Sequence, residues 1–197
     1  MKLKSDFAVQ DVPPLTVRVD PRHSMNFAAA VGDNNPRYFD DERPDFVAPP
    51  MQAVALTWPL ALAYSAALRE HGYEGVLRRQ VHYTEYVEWH RLIRPGETLV
   101  ITVCGEALLP HAAGSYGLIR FEARDSDGQV VFVEHTGAIF RGVRVEGEPL
   151  GVDRTPQVPQ HKSNGDPLWT RTIHIDPLAA HVYDSCTDLH FPIHTSR

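Results

Sequence analysis

With 197 residues, 43% of them hydrophobic and 22% charged, the chain can bury the core of one domain, which excludes wholesale disorder. A formal charge of -6 with no basic run argues against nucleic acid as the main partner, because phosphate binding needs a concentrated positive face. Two distant cysteines, Cys104 and Cys186, do not make a disulfide scaffold and favour a reducing compartment.

The N-terminus carries two lysines but no apolar block behind them, so it does not read as a signal peptide. The longest apolar stretch, Ala53 to Leu68, is interrupted by Thr57, Pro59, Tyr64 and Ser65 and is too short to cross a bilayer. The expectation is a soluble cytoplasmic protein.

In chain order, Leu15 to Val19 alternates apolar and polar residues as a short strand does. Pro21 to Val31 reads as a short helix, capped by Asp20 or Ser24 and presenting Met25, Phe27, Ala28 and Val31. GDNNP, Gly32 to Pro36, must stop it, since Gly, Asn and Pro all favour turns. A second helix spans Val47 to Gly72. Pro49 and Pro50 suit its start, where a missing N–H costs nothing, and Pro59 predicts a kink or a split. Its middle is apolar on every side, so other structure must enclose it.

From Gln80 the period changes. QVHYTEYVEWHRLI, TLVITVCGEAL, GSYGLIRFEARD and QVVFVEHTGAIFRG are β-branched and aromatic-rich strands, with turns at Pro95-Gly96 and Asp125 to Gly128. An antiparallel sheet wrapped around one central apolar helix satisfies this order, an α+β fold. No short-period repeat is visible. Val145 to Gly165 is rich in Pro and Gly and reads as a linker. Asp166 to Arg197 offers a strand-like TRTIHID and a helix-like PLAAHVYDSCTDL, too little to fold alone. The expected division is therefore 1–144, 145–165 and 166–197.

FAAAVGDNNPRYFDD, then VAPPMQA ahead of the apolar helix, and then HRLIRPGETLVITV resemble the MaoC-like hydratase and dehydratase family. The likeness, over roughly Leu15 to Gly142, is to the N-terminal dehydratase half of its two-part members. It implies the hotdog fold and an acyl thioester substrate on coenzyme A or acyl carrier protein. HVYDSCTDLHFPIHTSR resembles the start of the C-terminal half, whose motif reads D-x-N-P-[IL]-H. Pro192-Ile193-His194 matches its end, but Leu189 and Phe191 stand at its Asp and Asn positions. On this likeness 166–197 is the incomplete start of a second hotdog half.

Hydration of an enoyl thioester needs a base for water, an acid for the α-carbon and donors for the thioester oxygen. The resemblance implies Asp33 as the base, with Asn35 and Pro36 matching N-P and Tyr38 standing where the family has His. Tyrosine, with a reference pKa near ~10, holds water but is a poor base at neutral pH. Asp33 has a second reading, as the acceptor of a tight turn that ends a helix. His194 is the other half of the motif, or an exposed histidine near a chain end. The start of the apolar helix offers N–H groups of Met51 and Gln52, or of nearby Ala48, to an oxyanion. Glu85, Glu88, Trp89 and His90 read as surface or edge residues. No cofactor is called for, and no cysteine or carboxylate spacing suits a metal.

The expected activity is enoyl-thioester hydration or (R)-3-hydroxyacyl-thioester dehydration. The alternative is a non-catalytic acyl-binding subunit that shapes the tunnel for a catalytic partner, which the Tyr at position 38 favours. A thioesterase is disfavoured, because Val47 to Leu68 holds no carboxylate. The family's side-by-side association implies a homodimer, or a heterodimer with a complementary hotdog subunit.

Overall fold

The computed structural model describes residues 1–8, 11–157 and 165–196; residues 158–164 of the expected linker lie outside the described residues. In chain order the elements are β1 (Lys2–Lys4), β2 (Leu15–Arg18), α1 (Pro21–Ala30), α2 (Gln52–Glu70), α3 (Glu74–Leu77) and β3 (Gln80–Trp89). There follow β4 (Thr98–His111), β5 (Gly114–Arg124), β6 (Val130–Arg141), β7 (Arg144–Glu146) and α4 (Ala179–Thr187). Five strands form one sheet in the order β2-β4-β5-β6-β3, with every neighbouring pair antiparallel.

Turn chemistry sets the strand ends. Asp125 accepts the N–H groups of Asp127 at 3.1 Å and Gln129 at 2.9 Å, and Gly128 takes a positive φ of 76° that other residues resist. This closes the β5–β6 hairpin. Gly96, at φ 91°, does the same ahead of β4.

α2 lies against one face of the sheet. Leu56 and Leu60 pack with Ile101 of β4, Phe121 of β5 and Phe132 of β6, all buried. Further along, Tyr64 and Leu68 meet Leu108, Phe140 and Phe7. Burying each such side chain contributes about 1.5–3 kcal/mol. The expected split at Pro59 does not occur. The helix runs unbroken through an exposed Pro59, held on either side by the burial of Leu56 and Leu60.

Two features depart from the sequence reading. The stretch read as linker from Val145 begins inside the fold, where β7 pairs in parallel with β1 and Leu150 bridges to Leu108. The strand expected at TRTIHID is not formed. Ile173 and Ile175 are exposed, and no strand lies beside them among the described residues to complete a ladder. The expected helix is present as α4, which packs on α1.

Candidate active site

The site candidates cluster where α1 ends and α2 begins. α1 starts as its sequence dictates: Asp20 accepts the N–H of Arg22 at 2.8 Å, and Pro21 fills the first turn. It stops at Gly32, whose φ of 67° turns the chain. Asp33 then accepts the N–H of Asn35 at 3.1 Å, and Asn35 accepts that of Arg37 at 3.1 Å, capping a 3-10 turn over Pro36–Tyr38. GDNNP is thus a relay of side-chain-capped turns. Asp33 and Asn35 are exposed, whereas Tyr38 is half-buried.

Burial pushes the Tyr38 phenol above its usual value, and the charge of Asp33 adds to the rise. Its hydroxyl therefore keeps its proton at neutral pH and is able to donate to a water or an oxygen beside Asp33. Arg37 next to it is committed to Asp45, which it shares with Arg43.

At the start of α2, the N–H of Ala48 bonds to Ile93 O at 3.0 Å and that of Gln52 to Pro49 O at 3.0 Å. Among the described residues the N–H of Met51 has no acceptor, and Met51 is 43% exposed. Of the three expected donors, the backbone of Met51 is the one left open. Gln52 enters differently: its side chain is fully buried, and among the described residues neither amide atom has a hydrogen-bond partner. The indole of Trp89 bonds to Pro50 O at 3.3 Å and ties β3 to the same turn.

His194 sits on a 3-10 turn, Pro192–His194, and is exposed. Its ring lies 5.7 Å from that of Phe191, which in turn stands 5.9 Å from Trp58 of α2. No hydrogen bond or ion pair joins His194 to Asp33 or Tyr38 among the described residues. Asp188, the nearest carboxylate in sequence, faces His23 at 3.9 Å and His190 at 3.8 Å instead.

The tail nevertheless has a register. Set against 15–38 without a gap, residues 171–194 repeat Thr16, Asp20, Pro21 and Pro36 as Thr172, Asp176, Pro177 and Pro192. Asp176 caps Leu178 at 2.8 Å as Asp20 caps Arg22, Tyr183 stands at the place of Phe27, and Pro192–His194 repeats the 3-10 turn of Pro36–Tyr38. In this register His194 takes the place of Tyr38, and Leu189 that of Asp33. The repeat escapes a search for short periods because its copies are separated by the whole sheet.

Sequence reasoning missed Glu134. It lies on the inward row of β6 with Phe132 and Phe140 and is 1% exposed, and it accepts hydrogen bonds from Thr57 of α2 at 3.0 and 3.1 Å. Val47 to Leu68 itself holds no carboxylate, but β6 sets one beside it. Glu85, read as a surface or edge residue, has its side chain only 17% exposed and faces the same buried network. Alternation along QVVFVEHTGAIFRG was the available signal, since it places Glu134 on the apolar face.

Among the described residues, no helix is long and apolar enough to cross a membrane. The sequence profile of the FAS1-like dehydratase domain region matches residues 11–133. UPF0336 protein SCO4636 of Streptomyces coelicolor is 30% identical over 149 residues, which is 72% of this chain and 97% of that protein. The MaoC-like dehydratase from Phytophthora capsici superimposes with a TM-score of 0.71 at 16% identity over 93% of this chain, which spans 63% of that longer one. The HadBC complex of Mycobacterium tuberculosis, a 3R-hydroxyacyl-ACP dehydratase, gives 0.52 at 19% identity over 66% of this chain and 92% of the matched one. The sheet around α2 is thus the hotdog fold of MaoC-like dehydratases, and the chain belongs to the family of the FAS1-like dehydratase domain region.

Proposed function

We propose that this chain is a subunit of an enoyl-thioester hydratase or (R)-3-hydroxyacyl-thioester dehydratase, and that a second hotdog subunit completes its active site. Membership of the dehydratase family carries this reading. Asp33 is the base or water-holder, Tyr38 donates through its hydroxyl, and Met51 N–H receives the thioester oxygen, with Asn35 setting the turn and Gln52 lining the helix start. The substrate is an acyl group on coenzyme A or acyl carrier protein. The first unit keeps the Asp of the family's Asp/His pair and the tail keeps the His, as His194. Neither unit holds both, so the reading calls for a partner. HadBC and ChsH1-ChsH2 are complexes of this fold class. Among the described residues the outer edge of β3 pairs with no other strand.

A second reading is an acyl-binding subunit with no catalytic group of its own. It is favoured by the engagement of Asp33 in its own turn, bonded to Asn35. Loss of enoyl absorbance with crotonyl-CoA and a longer enoyl-CoA, for the chain alone and mixed with a catalytic hotdog subunit, tests the first reading. Turnover that Asp33→Ala abolishes supports it. Turnover of the mixture that survives Asp33→Ala moves the chain to the second reading, and no turnover in any mixture counts against both. Light scattering checks assembly, and a concentration-independent monomer under all conditions removes the homodimer.

A further inference from the structure

Glu134 stands where a charge is least welcome. It is 1% exposed, between the apolar face of the sheet and α2, and β5 presents Phe121 opposite it. Its carboxyl is served by two hydroxyls. Thr57 lies at 3.0 and 3.1 Å from its oxygens, and Thr136 at 3.0 Å. Each hydroxyl has one proton, and each is also claimed elsewhere: Thr57 by Val54 O at 3.1 Å, Thr136 by Glu85 at 3.1 Å. Two ionised carboxylates would leave more acceptors than protons in a dry site, an arrangement that buried polar groups avoid. The Thr136 hydroxyl, within 3.1 Å of an oxygen of each, bridges the Glu134 and Glu85 carboxyls and holds the two acids close together.

The neighbours decide which. Glu85, on β3, faces His82 Nε2 at 3.3 Å, and its hydrogen bond, more than its charge, raises the His82 imidazole above its ordinary value. No cation is among the main influences on Glu134, and α2 presents only the neutral Thr57. Burial, and then the charge of Glu85, push Glu134 up to about 8.

We propose that Glu134 is a neutral acid at physiological pH, and that its proton keeps intact the Thr57–Glu134–Thr136–Glu85 network that locks the edge strand β3 to β6 and to the central helix. Losing that proton sets two carboxylates against each other beneath α2 and releases β3. The edge is then a pH-sensitive element, secured below the titration and loosened above it. The inference is independent of the enzymatic reading.

The sign of the linkage is fixed. A folded carboxyl raised from 4.5 to about 8 retains a proton that the unfolded chain loses. The resulting stability is fully present below 4.5, and the folding equilibrium constant falls roughly tenfold per pH unit until about 8, then levels. Denaturant unfolding of the full chain from pH 5 to 9 is expected to show this slope, and Glu134→Gln to abolish it, because the amide stays neutral across the whole range. Above pH 8 the Gln variant is expected to be the more stable of the two, and the protection of β3 amides, relative to their intrinsic exchange rate at each pH, to fall in wild type alone. A Gln variant with the wild-type slope overturns the proposal. Should that variant not fold, the infrared carbonyl band of a protonated carboxyl decides it in the wild-type chain. The band must be present at neutral pH and shift to lower pH in Glu85→Gln; a wild type without it overturns the proposal as well.

Discussion

Tyr183 of α4 sets its ring edge-on against Phe27 of α1, with centroids 6.1 Å apart, and the two residues hold the same place in the two units that retrace each other. The contact sets α4 against α1, the helix at the corresponding place in the first unit. Leu189 and Trp58 extend it on either side. An aromatic pair of this kind contributes about 0.5–1.5 kcal/mol beyond its burial. Tyr183→Ala is expected to release α4 while leaving the sheet intact. Amide exchange should accelerate in 179–187 with no change in β4, β5 and β6; unaltered protection of α4 would show that other contacts hold the tail.

Gly105 in β4 is set by proximity. A Cβ there would collide with the backbone of Ala8 and with the Tyr64 hydroxyl, which donates to Phe7 O. The strand also shifts register between Gly105 and Ala107, leaving little room to retreat. Gly105→Ala is expected to cost about 1–3 kcal/mol, the usual range for overpacking. Urea unfolding measures it, and a neutral result would mean that the 5–8 turn moves away freely.

On the acid side, the residue to watch is Glu122. Hydrogen bonds from Arg120, and then from Arg124, hold its carboxyl below the ordinary 4.5. A depressed carboxyl contributes stability that is present above its unfolded value and is lost as the pH falls through the folded one. Glu122→Gln is expected to lose about 1 kcal/mol at neutral pH, typical of a partly exposed network, and to converge with wild type in acid. Thermal unfolding across the acid range checks this. A difference independent of pH would assign the loss to packing.

The elements that could be read from sequence are those with local causes. Asp20-Pro21 announces α1, the Asp125–Gly128 turn announces the β5–β6 hairpin, and the unpatterned apolar run announces a surrounded helix. β1 and β7 have no such cause. Each is three residues long, and each is a strand only because the other lies beside it. Pro59 was misleading because a proline on the exposed side of a helix buried elsewhere is tolerated at a cost that packing offsets. At the site, GDNNP told of a turn, and Asp33 does cap one. Its proposed part in the chemistry rests on the family resemblance, because a turn-capping Asp and a water-holding Asp look alike in local sequence. Glu134 was hidden by its residue type: a carboxylate in a strand reads as solvent-facing until its neighbours in the alternation, Phe132 and Phe140, are counted with it.

The parallel clasp of Lys2–Lys4 on Arg144–Glu146 has a consequence for the order of folding. Leu3 is fully buried, yet the strand that shelters it lies beyond the whole sheet in the chain. The clasp therefore closes late, after the strands between its two halves have paired, and a segment fused directly ahead of Lys2 would extend from that late-closing pair.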